Sequence, residues 1–299
     1  MRLVLLTLLL TFWAVPALAG LNVVASIHPV ADLAAGVLGD AGTVTLLLPG
    51  GASPHHTQLR PSQVRALHAA DLVVRVGPEL ELFLDRVLAD LPGSRVLNWT
   101  GLEGVRLLPA REGGHWQEDD HEGHGHQHEG IDPHLWLDPD NARVLIRALA
   151  DRFARLDPDH AADYFRRTDR MERELTRVAA DIERVLAPVR GRPYLVFHDG
   201  YQYFERRFGL NPAGAVAVDP GRAPGARRLN ELRGLLERRE AVCLFTEPQF
   251  APGWLHVLTA ETGARVGRLD PLGLDLPVAG SSYLTLLERM AGELTDCLK

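Results

Sequence analysis

A long amphipathic helical pattern, flanked on both sides by short apolar segments, is the feature that most constrains how this chain can fold. Between residues 159 and 188, apolar side chains recur every three to four positions, with arginine and glutamate between them. The repeating positions are Phe165, Met171, Leu175, Val178, Ile182 and Val185. This spacing predicts a single helix with one apolar face.

Strand-like segments alternate with helical segments before and after this helix. The first half contains "LNVVASI", "TVTLLL" and "DLVVRVG", and the second contains "YLVFH", "AGAVAV", "AVCLFTE" and "ARVGRL". Strands that alternate with helices are typical of βαβ units and parallel sheets. The sequence therefore predicts an α/β fold with two parallel-sheet lobes, residues 20–158 and 189–299, joined by one long helix.

The N-terminus resembles a targeting segment. "MRLVLLTLLLTFWAVPALAG" has one early positive charge, a short apolar run and a small-residue site that ends at Ala19. This pattern predicts a signal peptide, residues 1–19, cleaved after Ala19. The alternative, an uncleaved membrane anchor, would need a longer apolar run. We expect an exported protein, and the formal net charge of −7 argues against a nucleic-acid partner.

Two cysteines are present, Cys243 and Cys297. In an exported protein, a pair of cysteines more often forms a disulfide than two free thiols. Cys243 lies in the strand-like run "AVCLF", and Cys297 lies in the last helical turn of the chain. A bridge would join the C-terminal helix to a core strand, and two free thiols remain the alternative.

Residues 111–130 interrupt the first lobe with a polar segment that is rich in glycine and histidine. The segment lacks apolar periodicity, which predicts a flexible insertion. Its histidines are His115, His121, His124, His126 and His128. A loop without fixed geometry is expected to bind metal weakly and to raise the local metal concentration near a folded site. The alternative is a solvated polar loop without such a role.

Three other histidines lie near the ends of predicted elements. His55 follows "TVTLLL", His134 precedes a helix that Asp138 can cap, and His198 ends "YLVFH". Asp199, the next residue, is expected to cap the following helix. Ligands gather at the carboxyl ends of parallel strands, and three converging imidazoles form a natural Zn²⁺ site.

Asp270 in "VGRLDPLG" ends another predicted strand and is the best candidate for a fourth, carboxylate ligand. The spacing of these residues does not prove that they converge, and a single histidine is more often structural. His56 could substitute for its neighbour His55, and His28 could line the cleft behind the ligands. The remaining histidines are predicted to be surface or packing residues of helices: His68, His160 and His256.

Several motifs together resemble those of the zinc-uptake binding proteins of bacterial ABC transporters, the ZnuA type. They are "LLLPGGASPHHTQLRPSQVRALHAADLVVRVGPELE", "HLWLDPDNAR", "YLVFHDGYQYFERRFGL", "CLFTEPQF" and "LDPLG", in the same order. The resemblance covers essentially the whole mature chain. It implies two α/β lobes bridged by one rigid helix, a disulfide between the two cysteines, and these metal ligands: His55, His134, His198 and Asp270.

The resemblance also implies a function. Such a protein is not an enzyme; it is a periplasmic monomer that captures Zn²⁺ and passes it to an inner-membrane permease with a cytoplasmic ATPase. Pro54 stands where some zinc-type members carry a coordinating glutamate, and manganese-type relatives have glutamate at the position of His198. Three nitrogen ligands favour Zn²⁺ over Mn²⁺.

Two rival functions remain open. A zinc hydrolase also uses three histidines with an open position, although the sequence lacks H-E-x-x-H. The other rival is a periplasmic zinc buffer or chaperone that works without a transporter.

Overall fold

The computed structural model describes residues 20–49, 52–55, 57–111, 130–217, 220–221, 224–250, 253–260 and 262–299. The predicted signal peptide, His56 and the five histidines of the insertion lie outside these ranges. Within them, no helix is both long enough and apolar enough to cross a membrane.

The N-terminal lobe contains a four-stranded parallel sheet. Its strands, in chain order, are β1 (Leu21–Ala25), β2 (Gly42–Leu46), β3 (Leu72–Arg75) and β4 (Val96–Asn98), arranged β2-β1-β3-β4. Its helices are α1 (His28–Leu38), α2 (Pro61–Ala69), α3 (Asp85–Leu88) and α4 (Pro139–Leu156). Every residue of β3 is buried, as expected for a strand that is covered on both faces.

The C-terminal lobe repeats this architecture. Its strands are β5 (Tyr194–His198), β6 (Pro212–Ala217), β7 (Cys243–Thr246) and β8 (Arg265–Arg268), arranged β6-β5-β7-β8 and all parallel. Its helices are α6 (Gln202–Phe208), α7 (Ala226–Glu237), α8 (Leu255–Thr259) and α9 (Ser282–Leu298). The prediction of two parallel α/β lobes is confirmed.

A single helix, α5 (Ala161–Leu186), connects the two sheets. At 1.5 Å per residue it is about 40 Å long. It buries the central four of the predicted apolar positions, Met171, Leu175, Val178 and Ile182. The prediction is wrong at the two ends: Phe165 is 45% exposed and Val185 is 40% exposed. The neighbouring Tyr164 and Leu186 are buried instead. The buried face of a helix repeats about every 3.6 residues, and Phe165 and Val185 lie off that face.

The lobes also meet away from α5. Helix α9 packs against both α5 and α1. Asp32 on α1 is fully buried, and its carboxylate accepts hydrogen bonds from the backbone N–H groups of Ala279, Gly280 and Tyr283, at the start of α9. The predicted disulfide joins Cys243 of β7 to Cys297 of α9. The C-terminal helix is therefore bound to both lobes.

Candidate metal centre between the two lobes

His55, His134 and His198 lie together between the lobes. His55 follows β2, His134 lies just before α4, and His198 is the last residue of β5. Their candidate ligand atoms all lie within 4.8 Å of one another. The Nε2 atom of His134 is 3.2 Å from Nε2 of His55 and 3.2 Å from Nε2 of His198. The three histidines predicted from strand and helix ends therefore converge.

These distances match a tetrahedral zinc site. Two nitrogens that each bind one Zn²⁺ at about 2.0–2.1 Å, at a tetrahedral angle, lie about 3.3 Å apart. Among the described residues, no other group of three or more histidine, cysteine or carboxylate side chains has this convergence. The arrangement fits a zinc ion with one coordination position left for a fourth ligand.

Two buried carboxylates orient the rings of His134 and His198. Asp132 lies 2.7 Å from Nδ1 of His134 and also accepts that residue's backbone N–H at 2.9 Å. Glu247, directly after β7, lies 2.5 Å from Nδ1 of His198. A neutral imidazole that donates its Nδ1–H to a carboxylate presents a lone pair at Nε2. Two such lone pairs 3.2 Å apart need a cation or a proton between them.

Burial and charge shift the pKa values at the site in opposite directions. Burial lowers the pKa of His134 well below its usual value. For His198, burial also favours the neutral ring, but the Glu247 carboxylate outweighs it and raises the pKa. Burial raises the pKa of Asp132 to about 6. His134 is thus held neutral and ready to bind a metal ion, whereas at His198 a metal ion has to compete with a proton.

The histidines separate two different spaces. On one side is a small cavity of about 20 Å³ whose wall includes Pro54, Trp136, Gln249 and Phe250. That volume is close to the size of one water molecule. On the other side a cleft of about 400 Å³ has a partly apolar wall that also contains four charged residues, Glu79, Arg111, Asp132 and Asp199. Three of these four charged groups are carboxylates, so a cation in the cleft would meet a net negative charge before it reached the histidines.

Asp270 lies close to the site but outside the histidine cluster. Its carboxylate accepts hydrogen bonds from the backbone N–H groups of Leu272, Gly273 and Leu274 at 3.1, 3.0 and 2.7 Å. Nε2 of Gln249 also donates to it at 3.4 Å. To bind a metal ion, Asp270 would have to exchange some of these hydrogen bonds for coordination. Its role as a fourth ligand stays a prediction.

Two predictions about neighbouring residues are wrong. Asp199 does not cap a helix, because the residue before α6 is Tyr201 and Asp199 instead binds Arg111. Arg111, predicted as the first residue of the flexible insertion, is an ordered part of the site that also contacts Glu205. Both errors have the same cause. Arg111 and Asp199 form an ion pair across 88 positions of the chain, and such a pair leaves no local pattern in the sequence.

The other described histidines lie outside the three-histidine cluster. His28 begins α1 and is buried, but it lines neither space beside the cluster, and neither ring nitrogen has a hydrogen-bond partner among the described residues. His68 on α2 and His256 on α8 are exposed. His160, just before α5, pairs with Asp157 at 2.7 Å. The last three are surface residues, as predicted.

Sequence reasoning missed Asp132 and Glu247. A signal was present in each case, because Asp132 lies two residues before a predicted ligand and Glu247 directly follows a buried strand. A carboxylate behind each ligand histidine is a common feature of metal sites.

Two lobes, a connecting helix and a largely buried three-histidine cluster in the cleft define a bilobed metal-binding protein. The family profile described as "Zinc-uptake complex component A periplasmic" matches residues 23–297. The chain belongs to this family.

Individual relatives agree with this assignment. The high-affinity zinc uptake system protein ZnuA of Yersinia pestis is 37% identical over 94% of this chain and 92% of its own length. The protein of the same name from Brucella abortus (strain 2308) is 34% identical, over 93% and 91%. Both relatives are therefore matched over nearly their whole length.

Solved structures share the fold. A crystal structure of ZnuA superposes with a TM-score of 0.78 at 25% identity and covers 94% of this chain and 100% of its own. A ZnuA deletion mutant with zinc bound also has a TM-score of 0.78, at 26% identity, and covers 94% and 98%.

Proposed function

We propose that this protein captures Zn²⁺ in the periplasm and delivers it to an ABC-type importer made of an inner-membrane permease and a cytoplasmic ATPase. Family membership supports the transport role. The observation that carries zinc binding is the pair of 3.2 Å distances that join Nε2 of His134 to Nε2 of His55 and to Nε2 of His198. Zn²⁺ is the cargo, and no covalent chemistry is needed.

The ligands in this proposal are His55, His134 and His198, with Asp270 as the predicted fourth. Because the first two lie in one lobe and His198 in the other, a bound ion bridges the lobes. Three nitrogens and one carboxylate suit Zn²⁺, whereas Mn²⁺ prefers oxygen ligands. The acidic cleft supports cation capture by attracting a positive ion towards the site.

Export and the insertion complete the proposal. Residues 1–19 direct export and are removed after Ala19, so the mature monomer acts in the periplasm. The insertion between Arg111 and Gly130 supplies weak zinc sites that raise the local zinc concentration beside the cleft. These sites are His115, His121, His124, His126 and His128.

Single alanine variants of the three histidines test the tight site. Loss of a residue behind a ligand costs about 10–100-fold in metal affinity, so loss of a ligand itself should cost at least that much. We expect each variant to bind zinc roughly 100-fold more weakly or worse in a competition titration with a chelator. His68→Ala, on the exposed face of α2, is the matched control and should titrate like the wild type.

The same titration has two further readouts. Wild-type affinity should decline as the pH falls from about 6.5, because protons then compete with zinc for the imidazoles and the pKa of His198 is raised. A histidine whose alanine variant binds zinc normally is not a ligand. If all three variants do so, the proposed site is in the wrong place.

The rival functions are tested separately. The two carboxylates nearest the ligand rings, Asp132 and Glu247, already bind His134 and His198, which favours a binding site over a hydrolytic one. Zinc-loaded protein should therefore hydrolyse ester and peptide substrates no faster than the zinc-free protein. A buffer without a transporter would bind zinc equally well but would not support uptake in cells that depend on the permease.

A further inference from the structure

The base of the insertion forms a short two-armed stem that leads directly to a ligand. The stem consists of residues 108–111 and 130–132. The backbone N–H of Ala110 donates to the carbonyl of Gly130 at 3.0 Å, and that of Asp132 donates to the carbonyl of Leu108 at 2.8 Å. Because Asp132 also holds His134, a displacement of the stem would displace that ligand.

The C-terminal lobe holds both arms of the stem. Tyr203 on α6 donates its hydroxyl hydrogen to the carbonyl of Asp132 at 2.8 Å. The same hydroxyl accepts the backbone N–H of Leu108 at 2.9 Å. Helix α6 begins four residues after His198, so the stem rests on the segment that follows the ligand of the opposite lobe.

Arg111 makes the charged part of this contact. Its Nε lies 3.0 Å from both carboxylate oxygens of Asp199, and its Nη2 lies 2.9 Å from Oε2 of Glu205. All three side chains are largely buried, at 15%, 14% and 3% exposure. Asp199 is bonded to His198 in the chain. One guanidinium thus ties the arm of the stem in one lobe to the residue beside the ligand in the other.

We propose that Arg111 is a positioning residue for zinc capture: by clasping Asp199 and Glu205, it fixes the spacing between His134 and His198. The inference rests on the proposed zinc site. Arg111 itself does not touch the metal ion. Without the guanidinium, two buried carboxylates would face each other without their shared cation, and the segment after His198 would shift to separate or hydrate them.

If Arg111 acted only through its charge, its removal would increase zinc affinity, whereas the proposed clasp predicts a decrease. The direction of the change in affinity therefore tests the proposal. The charge of Arg111 is felt at the site, because it helps to lower the pKa of His134; burial and His198 lower that pKa more, and Asp199 raises it. Removing a positive charge near a divalent cation should strengthen binding by Coulomb's law. Removing a clasp should weaken it.

The experiment compares Arg111→Ala and Arg111→Lys with Arg106→Ala. Arg106 is exposed and precedes the same arm, so its variant controls for loss of a positive charge nearby. We expect zinc affinity to decrease roughly ten-fold in Arg111→Ala and by a smaller factor in Arg111→Lys. Lysine keeps the charge but lacks the planar fork that grips two carboxylates. Arg106→Ala should remain within about two-fold of the wild type.

Co²⁺ substitution gives a second readout. The visible absorption of bound Co²⁺ reports the ligand geometry, so both Arg111 variants should alter the spectrum and Arg106→Ala should not.

Wild-type or tighter zinc binding in Arg111→Ala would overturn the proposal. If that variant does not fold, Arg111→Lys decides, because a purely electrostatic role leaves its affinity unchanged. If His134→Ala also binds zinc normally, the zinc site itself is wrong; if only the Arg111 variants do, only the clasp is wrong.

Discussion

At the scale of single residues, Asp270 has two competing roles. In the described conformation its carboxylate accepts three backbone N–H groups and so fixes the turn after β8. As a zinc ligand it would neutralise part of the metal charge and draw the second lobe towards the ion. Pro54 cannot supply a carboxylate, which increases the need for one from the other lobe.

Paired substitutions of Asp270 separate these roles. Asp270→Asn keeps an oxygen that can accept the backbone N–H groups but removes the anionic ligand, whereas Asp270→Ala removes both. If Asp270 coordinates, we expect both variants to bind zinc about ten-fold more weakly or worse. Chelator competition and a zinc-bound crystal structure would check this.

The opposite outcome would also be structurally informative. Normal binding in Asp270→Asn, with a water molecule on the zinc, would mean that Asp270 only fixes the turn. Gln249 would then be the natural partner of that water. Its Oε1 is buried without a hydrogen-bond partner among the described residues, and its side chain lines the small cavity beside the histidines.

The site was only partly predictable at this scale. His55, His134 and His198 were found because each lies near the end of a strand or helix, a position that can be read from local patterns. Their convergence comes from the packing of two lobes, and the sequence indicates it only through family resemblance. Asp132, Glu247 and Arg111 were missed, since their roles depend on contacts across the fold.

At the scale of elements, the alternation of strands and helices predicted both sheets, because every strand in them is parallel and needs a crossover helix. Strand boundaries were less predictable. The segment "TVTLLL" suggested a strand over residues 43–48, whereas β2 spans Gly42–Leu46 and the next two residues lead towards His55. Where a strand ends depends on its partner, and among the described strands β2 pairs only with β1.

The insertion is the element whose role a deletion can test. Removing residues 115–129 leaves Arg111, Gly130 and the stem in place, so the clasp and the three histidines are kept. We expect one tight zinc equivalent to remain and the additional weak equivalents to disappear, as measured by isothermal titration at neutral pH. A variant with the five loop histidines changed to asparagine is the matched control for loop length.

Two results would contradict this division of roles. Loss of the tight event after the deletion would mean that the loop completes the folded site. Weak equivalents that persist in both variants would have to come from elsewhere on the surface, and the loop would then be a solvated segment without a role in zinc capture.

At the scale of the whole molecule, the contacts between lobes oppose a large hinge movement. One continuous apolar core contains residues from both sheets and from α5. Trp136 donates to the carbonyl of Pro271 across the cleft at 2.8 Å, and Asp32 holds the start of α9. Opening the lobes widely would break these buried hydrogen bonds and the apolar packing, and each loss would raise the free energy of the open form.

We therefore expect zinc to change the shape of the protein very little. Small-angle X-ray scattering of zinc-free and zinc-loaded monomer should give radii of gyration within about 1 Å of each other, as in pre-organised complexes. Asp32→Ala removes an acceptor of three backbone N–H groups, so its zinc-free form should be larger or more variable than the wild type. The scattering intensity at zero angle gives the molecular mass and therefore also tests the predicted monomeric state. A contraction of several ångströms in the wild type would instead indicate hinge closure, and the shared core would then have to be divided between two independently moving lobes.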